Sequence, residues 1–169
     1  MGTDDQVPDC RRGRVAGTPD DGRVVAAEPI RRGEVILRLT GVVRSEATRH
    51  TVQIGDRRHL DPDGDPLEPQ PWRYLNHSCR PNARLAGLDL VAVCDIAAGE
   101  QVTFNYNTTE VETASPFACR CGAADCAGTI LGFRHLSRPE QERLRPLLPD
   151  HLLELLPRRG ASSADCAGG

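Results

Sequence analysis

Arg73-Tyr74-Leu75-Asn76-His77-Ser78-Cys79-Arg80-Pro81-Asn82 sets an amide, an imidazole, a hydroxyl and a thiol in consecutive positions near the middle of a 169-residue chain. Taken singly, Asn76 reads as a turn former, His77 as a buried imidazole in need of a partner, and Cys79 as a soft metal ligand in need of companions. The companions lie downstream. Cys119-x-Cys121, followed after four residues by Cys126, puts three thiolates in one tight loop, where Gly122 lets the backbone turn back towards an ion. A structural zinc site takes four protein ligands in a tetrahedron, so Cys79 is the leading fourth ligand, with Cys10, Cys94 and Cys166 as competitors. Cys94 lies in an apolar run and reads as a core thiol, while Cys10 and Cys166 lie near the termini. Free thiols crowded into one loop would be open to oxidation, and a Cys119–Cys121 disulfide would be badly strained, so the pattern favours metal.

Composition narrows the setting. A chain of this length holds one domain with a real core, burying roughly 70% of its unfolded surface, and two full domains would not fit. Net charge is −3, and Arg11-Arg12, Arg31-Arg32 and Arg57-Arg58 are isolated pairs, so the basic excess that phosphate binding needs is missing and nucleic acid is not the expected ligand. The sequence contains no apolar run of about 18 residues, which argues against a membrane span. Met1 to Cys10 is polar and acidic, unlike a signal peptide. With seven cysteines whose clustering points to metal, the expected location is the cytoplasm.

Along the chain the periodicity is mostly that of short strands. Val24 to Leu39 reads as two strands joined by a turn at Pro29 and Gly33, a hairpin-like arrangement. His50–Ile54 and His59-Leu60 are strand candidates around Gly55-Asp56, and Asp61 to Pro66 reads as turn or loop. The acidic residues Asp61, Asp63, Asp65 and Glu68 there read as a solvated turn. Leu88 to Cys94 and Val102-Thr103-Phe104 read as buried strands. Helical signals come late: Ser137-Arg138-Pro139-Glu140 has capping-box spacing, Leu144, Leu147 and Leu148 follow at helical intervals, and Asp150 is placed to cap a second short helix through Leu156.

The segment from Arg73 to Asn82, together with Gly99-Glu100-Gln101-Val102-Thr103-Phe104-Asn105-Tyr106, resembles the two signature motifs of the SET family of methyltransferases. Ile30-Arg31-Arg32-Gly33-Glu34-Val35-Ile36 looks like the family's first motif, and Cys119 to Gly132 like its cysteine-rich post-SET segment. The resemblance covers roughly residues 22 to 133. It implies a mostly β fold of small curved sheets in which the Asn76 and Tyr106 segments thread past one another in a pseudoknot. A post-SET zinc loop and one or two short C-terminal helices complete that fold. The implied division is an N-terminal segment (1–15), a SET domain (16–112), a post-SET zinc segment (113–135), a helical extension (136–158) and a disordered tail (159–169). The arginine bias and the small single-domain build fit a bacterial origin.

The same resemblance implies the chemistry, an S-adenosylmethionine-dependent transfer of methyl to a protein lysine amine. Tyr106 would be the catalytic residue. Asn76, His77 and Arg73 would hold the methyl donor, with main-chain contacts from Gly22, Arg23 and Val24. Phe104, Leu39 and Leu131 would line the substrate channel, and Cys79 would join Cys119, Cys121 and Cys126 on Zn2+. The implied partner is a lysine-containing protein or peptide. Two other readings stay open: an enzyme that processes a small-molecule amine, and a SET-like binding module without activity. They are motivated by departures from the family pattern. Asn105 replaces the usual aspartate, Leu39 replaces a tyrosine whose hydroxyl would line the channel, and the segment before the first strand lacks the usual paired glycines. All 21 basic residues are arginine, so a lysine-modifying enzyme of this sequence offers itself no lysine side chain.

Overall fold

The computed structural model describes residues 12–18, 21–64 and 70–157. The expected disordered tail, Cys10, Cys166, Asp65 and Glu68 lie outside these residues. The chain runs through β1 (Gly13–Ala16), β2 (Arg23–Ala26), β3 (Val35–Arg38), β4 (Val42–Arg44), β5 (Val52–Gly55) and β6 (Arg58–Asp61). It continues through β7 (Asn76–His77), β8 (Ala83–Ala86), β9 (Asp89–Ala92), β10 (Thr103–Phe104), β11 (Phe117–Ala118) and β12 (Thr129–Ile130), then α1 (Arg138–Leu144) and α2 (Asp150–Leu153). Sheets are small: β1-β2, β3-β9-β8, β4-β6-β5, β10-β7 and β11-β12. The mostly β class and the two short C-terminal helices agree with the sequence.

The β8–β9 hairpin shows how pattern becomes core. Ala83, Leu85, Leu90 and Ala92 are each no more than 3% exposed, as a period of two demands when one face is covered. They join Val24, Ile30, Ile36, Ile96 and Val102 in the main core. Trp72 is sealed against the same core and donates its indole N–H to the Thr40 carbonyl at 2.9 Å. A second, smaller core gathers Phe133, Leu144, Leu148, Leu152 and Leu156 around Val111. It fastens α1 and α2 against the chain that follows Tyr106. Leu152 is fully buried there, so Leu152→Ala is expected to lower unfolding free energy by about 2–5 kcal/mol in urea titrations. An unchanged midpoint would show that the extension contributes nothing to the fold.

Four local readings need correction. Asp61 is not part of a solvated turn: it ends β6 opposite Val42 of β4, is 7% exposed and is ion-paired to Arg44, because the strand pairing runs one residue further than the turn signals indicate. β2 and β3 do not pair: β2 is antiparallel to β1, and β3 is antiparallel to β9. The reason is Ile30, whose backbone exchanges hydrogen bonds with Ile96 at 2.9 and 2.8 Å, drawing the intervening segment across instead of letting it turn back. Cys94 is exposed, not a core thiol, because β9 ends at Ala92 and the inward alternation stops with it. Asp150 is the first residue of α2, not its cap; the cap is Pro149, whose carbonyl accepts from Leu152 and Leu153. The capping box at the start of α1 forms as its spacing indicates, Ser137 N–H donating to Glu140 Oε2 at 2.8 Å.

What positions the site is the parallel pairing of β7 with β10, which sets Thr103 beside Asn76 and Phe104 beside His77. Two residues per strand are too few to hold this register alone. Asn82 supplies the rest: its side chain accepts from Thr103 N–H at 2.9 Å and donates to the Gln101 carbonyl at 2.8 Å. The cysteine loop is closed by β11 against β12 and by Cys119 N–H donating to Gly128 O at 2.7 Å.

Candidate active site and metal centre

Beside the β7–β10 pair lies a cavity of about 700 Å³ whose wall includes Asn76, His77, Phe104, Tyr106, Glu110 and Phe117. Tyr106 begins a 3-10 turn, Tyr106–Thr108, whose N-cap is Asn105; the Asn105 side chain accepts from Asn107 N–H at 3.0 Å. A neutral amide fills that capping role here, so the missing aspartate costs the turn no partner. The Tyr106 hydroxyl donates to the Leu75 carbonyl at 2.6 Å. Its ring meets His77 edge-on at 5.2 Å, Phe117 at 5.9 Å and Phe104 at 4.9 Å between centroids, forming an aromatic box. Burial pushes the phenol up to about 12, so the hydroxyl stays neutral and keeps its proton at physiological pH.

His77 joins this box to the cysteines. Its Nδ1 accepts the Tyr106 backbone N–H at 3.1 Å, which places the imidazole proton on Nε2, 3.3 Å from Cys79 Sγ. Burial pushes the imidazole down to about 4, so the ring is neutral. The sulfurs of Cys79, Cys119, Cys121 and Cys126 all lie within 4.8 Å of one another. Cys79 Sγ is 3.9 Å from both Cys119 Sγ and Cys126 Sγ. A tetrahedral zinc with metal–sulfur bonds of about 2.3 Å requires edges near ~3.8 Å, whereas a disulfide requires about 2 Å. Ala127 N–H points at Cys79 Sγ and Gly128 N–H at Cys126 Sγ, each at 3.4 Å, donors suited to thiolates. The Ala123 backbone N–H holds Cys121 down to about 6, while burial pushes Cys79 up. A divalent cation would convert the whole set to thiolates. Arg80 Nε donates to Asp125 Oδ1 at 2.9 Å, tying the residue after Cys79 to the residue before Cys126.

The other expected site residues divide. Asn76 and Arg73 line the cavity with His77, Phe104 and Tyr106. Arg73 is ion-paired to Asp63 at 2.7 Å, yet its Nε is sealed and unpartnered among the described residues. Gly22, Arg23 and Val24 are not in the wall, although Asn76 Nδ2 donates to the Gly22 carbonyl at 3.4 Å. Gly22 is confined by Tyr74, whose ring carbon a Cβ would meet at 2.3 Å. Leu39 is fully sealed in the main core, and Leu131 is 38% exposed; neither lines the cavity. Position 39 is therefore a packing position here, and the absent tyrosine hydroxyl leaves no gap in this wall. Phe117 and Glu110 were not singled out in the sequence. Phe117 carries a weak signal, an aromatic two residues before the first loop cysteine. Glu110 carries none, since Thr108-Thr109-Glu110 reads as a solvent-facing turn.

The SET domain model matches residues 23–107, half of the chain. The chain is 40% identical over 70 residues to the mouse histone-lysine N-methyltransferase NSD3, covering 37% of this chain and 5% of that protein. Against the Drosophila histone-lysine N-methyltransferase ash1 it is 28% identical over 151 residues, covering 77% of this chain and 6% of the relative. The methyltransferase flvH of Aspergillus flavus is 27% identical over 121 residues, with 69% of this chain and 64% of the relative covered. The chain thus spans only a small part of the animal histone-lysine relatives, and the animal and fungal sources leave the expected bacterial origin without support.

Among solved structures, KRYPTONITE in complex with mCHG DNA and SAH superposes with a TM-score of 0.52 at 22% identity, covering 66% of this chain and 27% of that one. A second KRYPTONITE complex, with mCHH DNA, H3(1-15) peptide and SAH, gives a TM-score of 0.51 at 21% identity over 67% of this chain and 28% of that one. These likenesses share the fold. Both structures contain DNA, so the expectation that nucleic acid plays no part gains nothing from them. No helix among the described residues is long and apolar enough to cross a membrane. The matched motif segments, their pairing at β7 and β10 and the shared fold lead to one statement of kinship: the chain belongs to the SET-domain family.

Proposed function

We propose that this protein transfers a methyl group from S-adenosylmethionine to the side-chain amine of a protein lysine. The observation that carries the reading is the Tyr106 hydroxyl, fixed on the Leu75 carbonyl at 2.6 Å in the wall of a cavity of about 700 Å³. That volume lies in the range of small-molecule sites, roughly 300–1,000 Å³. Arg73 stands in the same wall with a guanidinium suited to a ligand carboxylate, so the residues fit an amino-acid-bearing methyl donor.

When bound, the donor supplies an electrophilic methyl on a sulfonium. The chain's part is to align and to exclude water, which is where most of the barrier to an in-line displacement is removed. Asn76, His77 and Arg73, all in the wall, would hold the donor. Phe104, Tyr106 and Phe117 form a dry collar around the amine, and the Tyr106 oxygen, its proton committed to Leu75, turns lone-pair density to the positively charged transition state. Cys79, Cys119, Cys121 and Cys126 would hold zinc, which would fasten the 113–135 segment over the cavity. On this reading residues 16–112 form the catalytic domain and 136–158 a buttress.

The test exploits the missing lysines: any methyl-lysine formed belongs to an acceptor. With labelled methyl donor, purified histone H3 is expected to gain label as N-methyl-lysine. The phenylalanine at 104 leaves space for a second and third methyl, so mass spectrometry is expected to find di- or trimethyl-lysine. Label confined to low-mass amines, or no donor binding by calorimetry, would overturn the reading; monomethyl product alone would overturn the role of Phe104.

A further inference from the structure

Glu110 is a carboxyl group placed where a carboxyl is costly. It is 7% exposed, yet forms part of the cavity wall. Its backbone N–H donates to the Tyr106 carbonyl at 2.9 Å, one turn on, which sets the two residues on the same stretch of wall. One oxygen is satisfied: Oε1 accepts from Gln53 N–H at 2.8 Å and from the Thr109 hydroxyl at 3.1 Å. The other, Oε2, has no hydrogen-bond partner among the described residues and is not among the sealed unpartnered atoms, which are His59 Nδ1 and Arg73 Nε.

The carboxyl is also braced. The Gln53 side chain accepts from Val111 N–H at 2.9 Å and donates to Gly55 O at 3.0 Å, and Phe133 N–H donates to the Glu110 carbonyl at 2.8 Å. A side chain held this firmly, with one oxygen left open to a cavity, has the build of a group that meets a ligand.

We infer that Glu110 receives the substrate ammonium in this cavity and takes its proton, so that the amine reaches Tyr106 neutral. The inference rests on the proposed amine transfer. In the step an N–H bond of the ammonium breaks and an O–H bond forms on Oε2; cation and anion become amine and carboxylic acid, and the nitrogen lone pair is freed. The acid proton passes to water when product leaves. In bulk water a lysine would not give its proton to a carboxylate, because their ordinary values are about 10.4 and about 4.3. In a dry cavity both ions are disfavoured, and the neutral pair becomes competitive. Burial already pushes Glu110 up to about 7, against its two hydrogen bonds. The other titratable groups around it are Arg49 and His50 in the wall, Tyr106 one turn back, His59 paired across to Gln53, and His151, whose Nε2 lies 2.8 Å from the Thr109 carbonyl.

Glu110→Gln is the decisive variant, because its amide oxygen can still accept from Gln53 and Thr109 and the fold is retained. With histone H3 and labelled donor, the wild-type kcat is expected to rise through pH 7 as the carboxyl ionises. The variant is expected to lose that rise and on the order of 100-fold in kcat at pH 7.5, recovering towards pH 10. A wild-type pH profile in the variant overturns the inference. A second measurement needs no methyl transfer: with n-butylamine as the lysine mimic at neutral pH, infrared difference spectra are expected to show a carboxylic-acid C=O band that Glu110→Gln lacks. Its absence at saturating amine overturns the role of Glu110 even if H3 is methylated. Its presence with no methylation sustains Glu110 and sinks the transfer reading instead.

Discussion

Cys79→Ser is expected to abolish stoichiometric zinc binding and to collapse the cavity wall with it. The other three sulfurs come from one loop, between Cys119 and Cys126, and Cys79 is the one sulfur of the four that joins that loop to the β7 segment. Serine keeps the shape but offers no thiolate at neutral pH, leaving three ligands where a structural zinc needs four. Binding of zinc to such sites is worth about 10–16 kcal/mol, and much of that is folding free energy of the segment it closes. The loss reaches the cavity by two routes. His77 loses the sulfur 3.3 Å from its Nε2, and Phe117, Cys119 and Cys121, all in the wall, lose their anchor. Metal content measured after gel filtration should fall from one equivalent to none, and the melting temperature should drop. Cys94→Ser, at the exposed thiol after β9, should change neither. Zinc retained at one equivalent in Cys79→Ser would show that the four cysteines do not form one metal centre.

Tyr106→Phe is expected to lower kcat by about 10²–10⁴-fold while leaving donor affinity within a few-fold. The ring still packs on His77, Phe104 and Phe117, so the box survives, and what disappears is one oxygen. Stability should fall only by about 1 kcal/mol, the net worth of the hydroxyl's bond to Leu75. Because burial holds the phenol up at about 12, its ionisation contributes no limb to the rate profile below pH 10. A limb near pH 7 therefore belongs elsewhere, and Glu110 is the group whose pH range fits it. Near wild-type kcat in Tyr106→Phe would mean that the hydroxyl only braces Leu75.

The cysteine cluster and Tyr106 are linked through one imidazole. His77 accepts from the backbone of Tyr106 on one nitrogen and faces Cys79 on the other, so the proton position is set by the turn and read at the sulfur. Neutral His77 is the form this double role requires, and burial maintains it. The second core acts on the same turn from the other side. His151 on α2 reaches the Thr109 carbonyl, and Gly132 N–H reaches Asn107 Oδ1 at 3.1 Å. Gly132 adopts φ 112°, and a Cβ there would meet the Glu112 Cα and the Val111 carbonyl oxygen at 2.6 Å each, a place only glycine fills without strain.

The sequence by itself determined the parts whose chemistry is local. Cysteines two and five residues apart converge in any fold that closes their loop, Ser137 and Glu140 cap a helix wherever it lies, and alternating Leu85, Leu90 and Ala92 seek one face. The family motifs likewise lie in contiguous runs. Tertiary structure alone decided what depends on meeting a distant segment. Only the crossing of Ile30 with Ile96 sends β2 and β3 to different partners, and only the end of β9 exposes Cys94. Leu39 looks like a channel residue from its motif but is sealed in the core. Glu110 looks like a surface carboxylate until β5 brings Gln53 over it. The physical reason is that burial is a property of what packs on a residue, and for Glu110 the packing partner lies 57 positions away.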